Sequence, residues 1–336
     1  MRAIVFSSTG DSSVLSLAER DVPEPGDGQI RVRVMRSGVN PTDWKRRSAG
    51  DVGFAEATPN MDGAGLVDAV GPGVLSHHVG DRVWIMLAAH GSPYGTAAEY
   101  AIVAAEHAFP LPDGVSYDVG AALGVPAITA HRALTIAQAG PARLGPGALI
   151  GRTVLVAGGA GAVGHAAIQL ARWAGATVVT TVSSAEKAAL ATAAGAHHVV
   201  NYRRDDAAEQ IRAVAPDGAD IIVEVSPTAN AALNQAVAAN HAGIAIYANN
   251  GGDTVSLDIR PHMMLNTRVQ FLILYTLGEP LLQAAPEDVG VALRDGALPV
   301  GEEHGLPLHH FPLERTAEAH DAVEQGVVGK VLVAVA

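Results

Sequence analysis

The 336-residue sequence has no cysteine, which excludes disulfides, thiolate zinc sites and cysteine nucleophiles together. Aromatic residues make up only 4% of it, and alanine and glycine are abundant; that composition suits helices packed closely on a sheet. Basic residues are few, 22 against 34 acidic, for a formal net charge of −12. Such a balance argues against nucleic-acid phosphates as a partner, and the basic runs WKRR (44–47) and YRR (202–204) are too short to form a binding face. No apolar run reaches the roughly eighteen residues of a membrane span, and the N-terminal MRAIVFSSTG lacks the apolar core of a signal peptide. A soluble, cytoplasmic protein that does not engage a membrane is the expectation.

What is present is a hydrophobic fraction of 49% and enough length for two domains with a sizeable core. Residues 1 to about 124 read as mainly β, with runs such as IRVRVMRSGVN and DRVWIML cut by Gly, Pro and Asp turns. From 151 the rhythm changes to strand, helix, strand: RTVLVAG, AVGHAAIQLARWAG, ATVVTTV, SAEKAALATAAG, HHVVNY. That alternation implies βαβ units and a parallel sheet covered on both faces, an α/β fold. The run RVQFLILYTL (268–277) reads as one more strand, buried in the sheet or paired as an edge across a homodimer. The tail predicts two helices and a last strand returning to the first domain. The expected division is therefore 1–124 completed by 278–336, and 125–277.

The strand TVLVA runs directly into GGAGAVG, where Gly159, Gly161 and Gly164 make a G-x-G-x-x-G that opens a helix at Ala162 and Val163. In a dinucleotide site the first glycine permits a tight turn, the second admits a pyrophosphate, and the third lets helix pack on strand. The helix N-terminus offers unpaired N–H groups to the phosphates. An NAD site carries an acid about 20 residues beyond the motif. Here that region reads VVTTVSSAEK, with Ser183, Ser184 and Lys187 and no carboxylate until Glu186. Hydroxyls and an ammonium suit a 2′-phosphate, and Tyr202 and Arg203 in NYRR stand ready to cap adenine and phosphate, so the stretch reads as selection for NADPH. The plainer alternative is a helix N-cap at Ser183 with Lys187 in water.

Taken in order, SGVNPTDWKRRSAG (37–50), MDGAGLVDAVGPGV (61–74), VGDRV (79–83), GTAAEYAIV (95–103), AALGVPAITAHRAL (121–134), VLVAGGAGAVG (154–164) and GAHHVVNYR (195–203) resemble the medium-chain dehydrogenase/reductase superfamily. Within it the chain is most similar to the zinc-free quinone oxidoreductases, the ζ-crystallin group. The resemblance implies a GroES-like β-rich catalytic domain, a doubly wound Rossmann domain, an active site in the cleft between them and a homodimer through the last Rossmann strand. Zinc members of the superfamily hold metal with a cysteine and a histidine in the segments matching GVNPTD and MDGAG, where this chain has Asn40 and Asp62. HGLPLHH, with His304, His309 and His310, reads as surface or loop histidines rather than a metal site.

Without a Lewis acid to stabilise an alkoxide, the acceptor has to be electrophilic already: a quinone, or an enone. Asn40 is a candidate to orient the nicotinamide or the substrate carbonyl. Lys45 either holds a substrate oxygen or is a surface lysine beside two arginines; Asp43 is expected to position it. Thr129 lies near the nicotinamide by resemblance or bonds its own helix backbone, and Tyr94 lines the substrate mouth or is an exposed loop residue. Asp51 stands where quinone reductases often have a second tyrosine. Strand ends add Ser226, Ala248 and Asn249 to the cofactor site, which is also expected to take in Phe271, Leu272 and Lys330. Three functions follow: an NADPH-dependent, zinc-independent quinone reductase, an enoyl or enone reductase, and a non-catalytic NADPH-binding protein.

Overall fold

The computed structural model describes residues 1–49, 52–138, 140–204 and 206–336. In chain order its elements are β1 (Arg2–Val5), β2 (Ser16–Glu19), β3 (Gln29–Val39), α1 (Pro41–Ser48), β4 (Asp62–Val70), β5 (Arg82–Ile85), β6 (Tyr100–Ala104), β7 (Ala108–Pro110) and α2 (Tyr117–Leu134). The βα series follows: β8 (Thr153–Ala157), α3 (Ala162–Trp173), β9 (Thr177–Val182), α4 (Ala185–Ala193), β10 (His198–Asn201), α5 (Ala207–Val214), β11 (Ala219–Glu224), α6 (Pro227–Val237), β12 (Ala238–Ile246), α7 (Ile259–Met264) and β13 (Arg268–Phe271). Last come α8 (Glu279–Arg294), β14 (Leu308–Pro312), α9 (Thr316–Glu324) and β15 (Lys330–Ala334). None of the described helices is long and apolar enough to cross a membrane.

Two units result, Met1–Val125 with Pro307–Ala336, and Pro126–Leu306. The first is built on the eleven-residue β3. β4 pairs along one edge; along the other, β6 faces residues 29–33 and β15 faces residues 36–39. The alternation in QIRVRV decides which face is buried: Ile30, Val32 and Val34 are each 0% exposed. Ile30 and Val32 pack with Val67, Val83, Ile85 and Val103, each such side chain contributing about 1.5–3 kcal/mol. On the alternate positions Arg31 reaches out to Asp68 at 2.7 Å.

The second unit holds six parallel strands in the order β10-β9-β8-β11-β12-β13. In chain order that is third, second, first, fourth, fifth, sixth, a doubly wound sheet whose order reverses between β8 and β11. All carboxyl ends therefore share one edge. The central strands are apolar on both faces, as their helix-covered position requires: Val154, Leu155, Val156, Ile221, Ile222 and Val223 are at most 1% exposed.

Three expectations change. The strand expected over 268–277 ends at Phe271, because its partner β12 ends at Ile246, the residue opposite; a 3-10 turn follows at Leu274–Thr276. Residues 278–306 belong to the second unit, not the first. Asp288 on α8 accepts from His131 at 2.7 Å, Arg143 at 2.6 and 2.9 Å and the Leu144 N–H at 2.7 Å, and Pro299 O accepts from Gln169. The first unit's opening segment runs to Val125. LHHFP forms an additional edge strand, β14, parallel to β15; its proline is tolerated because it closes an edge. His309 and His310 are thus strand residues bonded to Val328 O and Asp118, and His304 lies in a 3-10 turn.

Candidate active site

β3 delivers the chain to Asn40, which is extended and precedes α1. Pro41 opens that helix, where a missing N–H costs nothing. Asp43, its third residue, accepts the Asn40 N–H at 2.7 Å with one oxygen and the Met61 N–H at 3.1 Å with the other. Asp43 is therefore a buried backbone clamp and does not position Lys45, which is exposed and lies with its ammonium 5.9 Å from the Trp44 ring centre. Asn40 Nδ2 donates to Asp62 at 2.7 Å, and Lys330 Nζ donates to Asn40 Oδ1 at 2.6 Å while lying 3.8 Å from Asp62.

Asn40, Asp43, Asp62 and Lys330 are 2%, 4%, 0% and 1% exposed. Burial raises the Asp43 carboxyl to about 7, assisted by the Asp62 charge and opposed by the Asn40 N–H and Lys330. Burial also raises Asp62, against the pull of Lys330, and lowers Lys330, against that of Asp62 and Asp43. Asp62 further receives the Val125 N–H on both oxygens at 2.9 Å. α2 breaks at Gly124 (φ −13°, ψ −108°), where a methyl group would stand 2.0 Å from Asp62 Oδ1. Tyr94 is 38% exposed in its loop. Asp51 lies outside the described residues.

At the carboxyl edge of the second unit, the tight turn after β8 falls on Gly158 (φ +73°), one residue before the expected Gly159. Gly159 is needed for a different reason: a methyl there would stand 2.2 Å from Thr180 Oγ1 of β9. At Gly164 it would stand 2.4 Å from Gly158 O. At exposed Gly161 the nearest atom would be 3.5 Å away, so the open face of the turn lies there, before the first N–H groups of α3 at Ala162 and Val163. The cap of α4 is Ser184, not Ser183: its hydroxyl accepts the Lys187 N–H at 3.2 Å. Ser183 is left half-buried between β9 and the cap. Tyr202 is 50% exposed, and the Arg203 N–H is held by Asn201 at 3.1 Å.

Further along the edge Ser226 precedes α6 and donates to Asn250 O at 2.8 Å, half-buried Ala248 follows β12, and Asn249 bonds Asp253 at 2.5 Å. Phe271 is 61% exposed, Leu272 is buried, and Thr129 is buried on α2. Lys330, the first residue of β15 in the first unit, belongs to the Asn40 cluster.

A family model described as an alcohol dehydrogenase GroES-like domain matches residues 26–113, and one described as a zinc-binding dehydrogenase matches residues 162–287. The quinone oxidoreductase of Lama guanicoe is 31% identical over 338 residues, 99% of this chain and 97% of its own. The chain belongs to the quinone oxidoreductase group of the medium-chain dehydrogenase/reductase superfamily. Two solved structures extend the likeness over the whole of both chains at 28% identity. They are an NAD-dependent alcohol dehydrogenase (TM-score 0.83) and a mycobacterial protein complexed with NADPH (TM-score 0.81).

Membership in this superfamily brings a nicotinamide cofactor, and the second unit fits one: a glycine turn open at Gly161, a twelve-residue helix behind it, and no carboxylate on Ser183 or Ser184. A zinc ion does not fit beside Asn40 and Asp62. Among the described residues no three His, Cys, Asp or Glu side chains gather to hold a metal, and the Asn40–Asp62 pair already contains the Lys330 ammonium, which repels a dication.

The sequence puts Asp62 at a former zinc position and Lys330 with the cofactor, but does not bring them together at Asn40. Asp62 and Lys330 are the first residues of β4 and β15, and a charge at a strand end reads as a solvated terminus. Glu224 at the end of β11 is 0% exposed and accepts the Ser226 N–H at 2.5 Å, Asn230 at 3.0 Å and Asn234 at 2.6 Å. It thereby braces the segment that carries Ser226. Its signal is an acid closing the apolar run IIVE, followed by two asparagines one helical turn apart.

Proposed function

We propose that the protein is an NADPH-dependent, zinc-independent quinone oxidoreductase: quinone, NADPH and a proton give hydroquinone and NADP⁺. The full-length likeness to quinone oxidoreductases carries the reaction class, and the rim of hydroxyls and cations beyond the glycine turn carries the choice of cofactor. Bound NADPH supplies the hydride. The residues proposed to hold it are Gly161, Ala162, Val163 and Gly164 at the pyrophosphate, Ser183, Ser184, Lys187 and Arg203 at the 2′-phosphate, and Tyr202 beside the adenine. Ser226, Ala248 and Asn249 border the nicotinamide end. On the substrate side Asn40 orients the acceptor carbonyl, with Thr129 and Tyr94 lining the approach.

The experiment is NADPH oxidation with 1,4-benzoquinone, a naphthoquinone and a medium-chain enone, with product analysis. Turnover of the quinones to hydroquinones supports the reading, and faster turnover of the enone to a saturated ketone overturns it. Lys45 supports that second reading: an exposed ammonium two residues past Asp43 suits an enolate oxygen.

A homodimer belongs to the same proposal. β13 is an edge strand, and Phe271, Ile273, Ile259, Met263 and Met264 are between 54% and 74% exposed around it, an apolar patch of the kind that marks an interface. A monomeric mass in solution would sink this part.

A further inference from the structure

Asn40 is held from both ends of its amide. Oδ1 accepts from Lys330 at 2.6 Å and Nδ2 donates to Asp62 at 2.7 Å. An amide can usually be turned end for end without changing its shape, since only its hydrogen bonds tell oxygen from nitrogen. Here a turn would set N–H against an ammonium and carbonyl oxygen against a carboxylate, leaving buried groups unsatisfied.

Both holders are themselves fixed. Asp62 takes the Val125 N–H on each oxygen at 2.9 Å. The Lys330 stem lies along β3, where a methyl on Gly38 would be 3.2 Å from Cε and Nζ. The ammonium is nearer the neutral amide, at 2.6 Å, than the carboxylate, at 3.8 Å. A buried lysine whose task was to neutralise Asp62 would close on the carboxylate, so this placement marks orientation of the amide as its work.

We propose that Lys330 and Asp62 are positioning residues for Asn40, locking its amide so that the second Nδ2 hydrogen, committed to neither bond, is presented to the carbonyl oxygen of the acceptor. This rests on the function proposed above, and it removes Lys330 from the set of cofactor ligands. On hydride transfer that oxygen gains negative charge, and a donor already aimed at it needs no reorganisation.

The test compares the unaltered protein with Lys330→Met, which keeps the stem and removes the donor, and Lys330→Arg, which keeps a donor. With 1,4-benzoquinone, kcat falls by about a hundredfold in Lys330→Met and is largely recovered in Lys330→Arg. The NADPH Kd, by fluorescence titration, stays within about threefold, since the lost interaction serves the transition state. A crystal structure of Lys330→Met shows the Asn40 side chain rotated or in two conformers. Weakened NADPH binding with unchanged kcat would return Lys330 to the cofactor and overturn the proposal; so would an Asn40 side chain unmoved in Lys330→Met. If the unaltered protein turns over no quinone, the functional reading fails, and the crystal structure still decides whether Lys330 sets the amide. If Lys330→Met does not fold, the isosteric Asp62→Asn replaces it. A kcat loss at unchanged Kd and melting temperature then supports the proposal, and an unchanged kcat overturns it.

Discussion

Asp43 accepts the backbone N–H of Asn40 at 2.7 Å while buried within reach of a second carboxylate, Asp62, and of the Lys330 ammonium. Two carboxylates and one cation leave a surplus negative charge in a buried site, and burial with that surplus raises the Asp43 carboxyl.

Burial, then Asp62, lifts Asp43 from 3.8 to about 7, so between those values the folded protein binds a proton that the unfolded chain has released. Stability is lost as pH rises through this window and is level above it. Asp43→Asn removes the term but keeps the shape. Its stability deficit in urea unfolding should be larger at about pH 5 than at about pH 8, narrowing by at least ~1 kcal/mol. A deficit independent of pH would contradict the assignment.

His165 has the opposite sign. Burial lowers it from 6.5 to about 4, and its Nε2 bonds His304 O at 2.9 Å. Below about pH 6.5 the unfolded chain takes up a proton that the folded one refuses, so stability falls with pH through that interval. His165→Gln retains an N–H donor without the titration. Its acid slope should be shallower by up to ~1.4 kcal/mol per pH unit, read from unfolding curves between about pH 4 and 6.

Two alanine substitutions in one turn should separate folding from binding. Gly164→Ala puts a methyl 2.4 Å from Gly158 O, backbone that cannot step aside, and should cost about 1–3 kcal/mol of stability together with cofactor binding. Gly161→Ala meets nothing closer than 3.5 Å. It should leave the melting temperature unchanged yet weaken NADPH by about tenfold, because the methyl would stand where the pyrophosphate is proposed to approach. Equal melting losses in both would place the phosphates elsewhere.

Ser183, Lys187 and Arg203 should favour NADPH over NADH by at least about tenfold in Kd. Lys187→Ala and Arg203→Ala should each narrow the ratio, and Ser183→Asp should reverse it by setting a carboxylate against the 2′-phosphate. Equal dissociation constants for the two cofactors in the unaltered protein would remove the argument.

Local pattern alone determined a good deal here. GGAGAVG between an apolar strand and an amphipathic helix specifies a tight glycine turn, because the need for glycine arises within a few residues of backbone. The βα alternation after 151 specifies a parallel sheet for the same reason, since hydrophobic period follows local conformation. The tertiary structure alone decided what the charges do. Asn40 meets Asp62 across 22 residues and Lys330 across 290, and nothing in their neighbours' sequence marks them as one site. They meet because β15 returns to pair with β3, and burial then compels each polar atom to find its partner in the other chain segments brought there. The end of β13 and the allegiance of α8 were set the same way, by where a partner strand stops and where a buried Asp288 finds its donors.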